Sequence, residues 1–168
     1  MNTIQIVARN QYNVIADKDN NIPFNCPSDL VFFKTLSYGK KIVCGRKTFE
    51  TLPEKVQERV GAIFTTNKNY RCDKAILHDL VSFVDYCDSV LEDQDVLIIG
   101  GEQIYNLTFN RVDEIYLTSV KEEEEIATTE GFKYSYYPPE DGFKLNWSLK
   151  NLVDGKTGTK FQVEHWKK

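Results

Sequence analysis

The chain of 168 residues has little of what metal centres and disulfide frameworks need: four cysteines, Cys26, Cys44, Cys72 and Cys87, stand far apart with no Cys-x-x-Cys, beside only two histidines, His78 and His165. Neither a metal site nor a disulfide scaffold is expected, and each cysteine reads as a small buried hydrophobe or an inert thiol. No apolar run approaches the ~18 residues of a membrane helix, and the opening residues 1–6 lack a charged and apolar leader, so the expectation is a cytosolic protein without a membrane. Positive charge is also scarce. Lys and Arg number 21 against 25 Asp and Glu, a net charge of -4, so nucleic acid is not an expected partner and any anionic ligand must be met by a local patch.

What is present is ordinary globular composition, 41% apolar, 12% aromatic and 27% charged, and a length that suits one domain over residues 1–168. Short β-rich runs at 4–8, 41–44, 62–66, 74–77 and 96–99 alternate with helically spaced segments at 27–36, 47–52, 80–91 and 102–107. That rhythm predicts an α/β architecture, a mostly parallel central sheet with four helices. Longer runs at 112–120, 143–152 and 159–166 follow, the last two joined by a turn-rich 154–158, which reads as a C-terminal antiparallel hairpin. The segment 121–129, with its acidic run 122–125, reads as a solvated excursion.

Three local patterns could carry chemistry. In Ile98-Ile99-Gly100-Gly101-Glu102-Gln103-Ile104-Tyr105 a strand meets two glycines and then a helix, which lets backbone N–H groups approach an anionic phosphate, although a plain tight turn has the same look. In Val43-Cys44-Gly45-Arg46-Lys47-Thr48 a strand, a glycine and a helix place two cations in the first turn. Cations there oppose the helix dipole, so they either face water or hold an anion. The third is Pro23-Phe24-Asn25-Cys26-Pro27-Ser28-Asp29-Leu30, with Pro27 suited to a first helical turn and Asp29 just inside it. Such an aspartate is either a helix cap or a carboxylate that grips paired N–H donors, and spacing alone favours the cap.

These patterns in this order resemble the dihydrofolate reductase family along nearly the whole chain, through Pro23-Phe24-Asn25, Pro27, Asp29-Leu30, Phe33-Lys34, Gly45-Arg46, Thr48, Ile99-Gly100-Gly101, Ile104-Tyr105 and Tyr116-Leu117-Thr118. The resemblance implies NADPH-dependent reduction of 7,8-dihydrofolate to tetrahydrofolate by hydride transfer, for one-carbon metabolism, in a monomer that antifolates would inhibit. It implies that Asp29 holds the pterin and that Thr118 supports its carboxylate. It makes Leu30, Phe33, Leu52 and Val56 the apolar walls around the substrate, Ile6, Val7 and Ile99 its floor, and Arg59 the partner of the glutamate tail's carboxylate.

For the cofactor, the resemblance implies Gly45, Arg46, Lys47 and Thr48 at the pyrophosphate and 2′-phosphate, with Thr65 and Thr66 on the adenosine side. Gly100 and Gly101 match a pair joined by a cis peptide in the family, and the set continues through Glu102, Gln103 and Ile104 to Tyr105 near the nicotinamide ribose. Ala8 and Ile15 match residues at the nicotinamide carboxamide, and residues 10–24 match a mobile lid.

The sequence departs from the family's pattern at Ala16, usually glycine; at Phe24, usually Trp; at Gln57-Glu58, usually Pro-Gly; at Glu102, usually a small residue; and in a lid one residue longer. Two alternatives stay open on the sequence alone: a related NADPH-dependent pyrimidine reductase of riboflavin biosynthesis, whose substrate gives Arg59 no glutamate tail to bind, and a non-catalytic folate- or nucleotide-binding module.

Overall fold

Runs of valine and isoleucine build the centre of the fold. The computed structural model describes residues 2–17, 19–90, 93–122 and 142–168, and the backbone of the two-residue strand at 133–134. Its elements are β1 (Thr3–Asn10), β2 (Val14–Ala16), α1 (Pro27–Leu36), β3 (Lys41–Gly45), α2 (Arg46–Thr51), α3 (Glu54–Gln57), β4 (Val60–Phe64), β5 (Ala75–Leu77), α4 (Leu80–Val90), β6 (Val96–Ile98), α5 (Glu102–Thr108), β7 (Glu114–Lys121), β8 (Lys133–Tyr134), β9 (Lys144–Val153) and β10 (Lys160–Lys167). The strand order of the main sheet is β5-β4-β3-β6-β1-β7-β10-β9. The chain divides into two compact units, Met1–Ile6 with Ser37–Asp113, and Val7–Leu36 with Glu114–Lys168.

In the first unit every strand pair is parallel: β1 with β6, β6 with β3, β3 with β4 and β4 with β5. Parallel strands need crossovers and are covered on their faces, which is why these strands read as unbroken apolar runs. Ile42, Val43, Cys44, Ala62, Ile63, Val96, Leu97 and Ile98 are fully buried, each larger side chain contributing about 1.5–3 kcal/mol of burial. Phe83 of α4 packs its ring 5.6 Å from that of Phe64 at the end of β4. The register opposes Ile42 to Leu97 and Val43 to Ile98, so β3 and β6 end side by side.

In the second unit β10 pairs antiparallel with β7 on one side and β9 on the other, which bears out the C-terminal hairpin and its turn at 154–158. Alternation sends Tyr116 and Thr118 of β7 to one face and Ile115 and Leu117, fully buried, to the other. Helix α1 begins at Pro27, where the proline's missing N–H costs nothing.

The expected strands and helices are present within one or two residues. A fifth helix joins the four expected: α3 is a single turn, too short to leave a periodic signal. The small pair β2 and β8 was also not legible, since strands of three and two residues carry no alternation. Residue 91, the expected end of the 80–91 helix, and residues 123–129 of the expected acidic excursion lie outside the described residues. Among the described residues no helix is long and apolar enough to cross a membrane.

Candidate active site

Asp29 is the one acidic residue buried in α1, 8% exposed, in the helix's first turn. Its neighbour one turn on, Phe32, packs 5.9 Å from the ring of Tyr116. Residues three apart share a helix face and residues two apart share a strand face. The contact of Phe32 with Tyr116 therefore brings Asp29 to Thr118. Burial pushes the Asp29 carboxyl above the usual carboxylate range, and the nearby Thr118 hydroxyl works against that shift. Thr118 Oγ1 is itself buried and makes no hydrogen bond within the described residues, so its hydroxyl is left for a guest beside Asp29. A carboxyl and a hydroxyl are thus kept together out of water, with Leu30 exposed and Phe33 half-buried beside them on α1. Val7 in the same unit is buried, and Ala8 and Ile15 are partly so.

The aromatic row behind this pair continues through the second unit. His165 stacks on Tyr116 with centroids 4.2 Å apart and planes 10° apart, and Trp147 tilts against His165 at 5.4 Å. His165 donates from Nε2 to Glu114 Oε2 at 2.7 Å and accepts at Nδ1 from Asn146 Nδ2 at 3.0 Å.

The first unit gathers a second group, where β3 and β6 end together. Gly45 N donates to the Gly100 carbonyl at 2.7 Å, and Ile99 N donates to the Val43 carbonyl at 3.0 Å. Gly100 has φ +109°, and a Cβ there would stand 2.9 Å from the Tyr105 ring, so only glycine fits without displacement. A Cβ on Gly45 would press Ile104 Cγ1 at 3.2 Å, and one on Gly101 would lie 3.4 Å from Thr48 Oγ1. The peptide between Gly100 and Gly101 is cis, as the resemblance implies. Gly45, Thr48, Gly100, Gly101, Ile104 and Tyr105 therefore surround one spot beyond the carboxyl ends of parallel strands, where ligands of α/β sheets bind. Tyr105 is buried, and its hydroxyl donates to the Ile6 carbonyl at 2.7 Å, which ties β1 to this group.

The remaining candidates are placed individually. Arg46 neither faces water alone nor stands free: its Nη1 lies 2.9 and 3.0 Å from the two carboxylate oxygens of Glu50 on the same helix. Lys47 and Gln103 are exposed and Glu102 half-buried. Thr65 is buried in local bonds, its hydroxyl accepting from Asn67 N at 3.1 Å and its carbonyl from His78 Nδ1 at 2.8 Å, while Thr66 is exposed. Leu52 and Val56 are half-buried around the α2–α3 corner. Arg59 is exposed and anchored by Nη2 on the carbonyl and hydroxyl oxygens of Ser37, at 2.7 and 3.0 Å. Cys26, Cys44 and Cys87 are buried, and burial pushes the Cys44 and Cys87 thiols up to about 12; Cys72 is exposed.

The sequence did not disclose the Glu50 partner of Arg46, the Tyr105 bond to Ile6, or a clasp of Ser28 by Asp154. The i,i+4 spacing of Arg46 and Glu50 was the one available signal; the other two join residues 99 and 126 positions apart.

Comparison with known proteins identifies the family. The family model described as Dihydrofolate reductase matches residues 3–168. A dihydrofolate reductase of Buchnera aphidicola subsp. Baizongia pistaciae is 31% identical over 97% of this chain and 94% of its own length. That of Bacillus subtilis is 30% identical over 88% of this chain and 80% of its own. A solved structure of dihydrofolate reductase from Enterococcus faecalis, complexed with NADP(H) and RAB-propyl, shares the fold with a TM-score of 0.78 at 22% identity, covering 98% of this chain and 95% of that one. A family match spanning almost every residue and relatives of this similarity show that the chain belongs to the dihydrofolate reductase family.

Proposed function

We propose that the chain reduces 7,8-dihydrofolate to 5,6,7,8-tetrahydrofolate with NADPH, and that the buried Asp29 beside Thr118 carries the substrate's recognition. The family supplies the reaction and the cofactor; the observation that supports the site is a buried carboxyl near a buried hydroxyl, Thr118 Oγ1, that makes no hydrogen bond within the described residues. The two oxygens of Asp29 match the adjacent ring N–H and exocyclic amino group of a pteridine, so the residue orients the ring and, being so placed, fixes which carbon is reduced. NADPH, when bound, supplies the hydride from its nicotinamide.

The rest of this chain's candidates bind and position. Leu30, Phe33, Leu52 and Val56 wall the substrate, Ile6, Val7 and Ile99 floor it, and Arg59 presents a guanidinium fork to the carboxylate of the glutamate tail. Gly45, Gly100 and Gly101 pack so closely against Ile104, Tyr105 and Thr48 that a Cβ at Gly45 or Gly100 would crowd them, which leaves their bare backbone to meet a dinucleotide's phosphates; Glu102, Gln103, Ile104 and Tyr105 follow. Arg46 and Lys47 give the local positive charge that the net charge of -4 does not provide. This pair favours a cofactor carrying a 2′-phosphate, with Thr65 and Thr66 on the adenosine side and Ala8 and Ile15 at the carboxamide. Residues 1–168 act as one catalytic domain, as a monomer in the cytoplasm, and bind antifolates in the substrate's place.

A single-turnover reaction with NADPH deuterated at the transferred position tests the reading. Deuterium at carbon 6 of tetrahydrofolate is expected. Unlabelled product, or none, would contradict it.

A further inference from the structure

We propose that Asp154, in the turn between β9 and β10, is a positioning residue for the reaction, clasping the first turn of α1 and so fixing where the Asp29 carboxylate points. The inference rests on the reading of Asp29 given above. The first N–H groups of a helix have no partner within it and need one from outside. The residue before α1 is Cys26, which has no side-chain oxygen to offer, and Pro27 has no N–H. Ser28 is therefore the first residue with an N–H to satisfy, and it is the immediate neighbour of Asp29.

Asp154 meets that need from 126 residues away. Its Oδ2 accepts from Ser28 N at 2.7 Å and from Ser28 Oγ at 2.6 Å. Its Oδ1 accepts from Lys156 N at 2.9 Å, Thr157 N at 2.8 Å and Thr157 Oγ1 at 3.0 Å. One carboxylate oxygen thus belongs to the turn and the other to the helix, and the group is 2% exposed. Thr159 Oγ1 adds a second tie, donating to the Asn25 carbonyl at 3.0 Å. The Asp29 N–H bonds to the Cys26 carbonyl at 2.9 Å, so the clasped serine sits between a local turn and the helix proper. With the clasp in place Asp29 has one orientation, toward Thr118. Without it the first turn frays and the carboxyl meets water.

The test compares Asp154→Asn and Ser28→Ala with Asp29→Asn and the parent, measuring NADPH affinity by fluorescence, single-turnover hydride transfer at saturating dihydrofolate, its pH dependence, and thermal stability. In Asp154→Asn hydride transfer should fall about tenfold, as small misplacements of a binding group do, while the NADPH dissociation constant stays within about twofold of the parent. The midpoint of the pH profile should move down, because the burial that raises the Asp29 carboxyl is relaxed. Ser28→Ala keeps its N–H bond and should show a smaller loss in the same direction; it decides the question if Asp154→Asn does not fold. Variants that melt lower yet keep the parent's rate and pH midpoint would leave Asp154 a purely structural cap and overturn the proposal, as would an equal loss of NADPH affinity. If Asp29→Asn is crippled while Asp154→Asn is not, positioning alone fails; if Asp29→Asn turns over at the parent's rate, the reading of Asp29 fails and the proposal with it.

Discussion

The hydroxyl of Tyr105 donates to the carbonyl oxygen of Ile6 at 2.7 Å, and the same ring lies against Gly100, where an added Cβ would stand 2.9 Å away. The ring cannot retreat without breaking a buried bond. Gly100→Ala should therefore cost stability, about 2 kcal/mol between the strained φ of +109° and the displaced ring, and reduce turnover at least about tenfold by disturbing the group around it. Thermal melts and NADPH oxidation check this; a variant equal to the parent in both would show the approach to be loose.

Asp29→Asn separates stability from activity. Burial raises the Asp29 carboxyl, so the folded protein holds its proton to higher pH than the unfolded chain does. The stability this residue leaves the fold is then full below the unfolded carboxylate range and is lost as pH rises through the folded pKa. At neutral pH the parent bears that penalty and the amide does not. Asp29→Asn should melt higher than the parent at pH 7 and about equally near pH 3, while turnover falls by about two orders of magnitude and NADPH binding persists. A lower melting point at neutral pH would refute the sign.

Arg46→Ala tests the local positive patch. Its pair with Glu50 is part-exposed, the side chains 32% and 50% accessible, so stability should change by less than about 1 kcal/mol. NADPH affinity should fall by about tenfold or more, the worth of a charge-assisted bond to phosphate, with NADH affinity little changed. Equal weakening of both cofactors would move the 2′-phosphate elsewhere.

His165→Ala removes the 2.7 Å partner of the Glu114 carboxylate, which also lies 3.5 Å from Lys167 Nζ, and removes the ring stacked on Tyr116. The expected loss is about 3 kcal/mol, from the lost 2.7 Å bond to a buried carboxylate and from the cavity. Denaturant unfolding measures it, and a loss under about 1 kcal/mol would show that the pair is not held by burial.

The sequence was most informative where local rules apply. The parallel strands were legible because Val, Ile and Leu run unbroken through residues 42–43 and 96–98, and α1 because proline and a small polar residue mark its start. The glycines at 45, 100 and 101 admitted either a close approach of backbone or a plain tight turn, and the crowding a Cβ would meet at 45 and 100 shows the close approach. Residue Asp29 was different. Spacing favoured a cap, and in the structure the cap of that turn is Asp154, so Asp29 is free for Thr118. Nothing near Asp154 in the chain points to Ser28; the link exists only once β9 and β10 have paired. For Arg46 the sequence offered water or an anion, and the fold adds a part-exposed partner on the same helix, Glu50, a pairing that depends on rotamers and not on helix formation. Helix α3 and strands β2 and β8 are too short for any period to show.

The measurement that bears most directly on the account is the loss of NADPH absorbance when 7,8-dihydrofolate is added to the purified protein, with and without a stoichiometric dose of methotrexate. The account predicts steady oxidation of NADPH that methotrexate abolishes. Tight binding of NADPH with no oxidation, or oxidation that methotrexate leaves untouched, would contradict it.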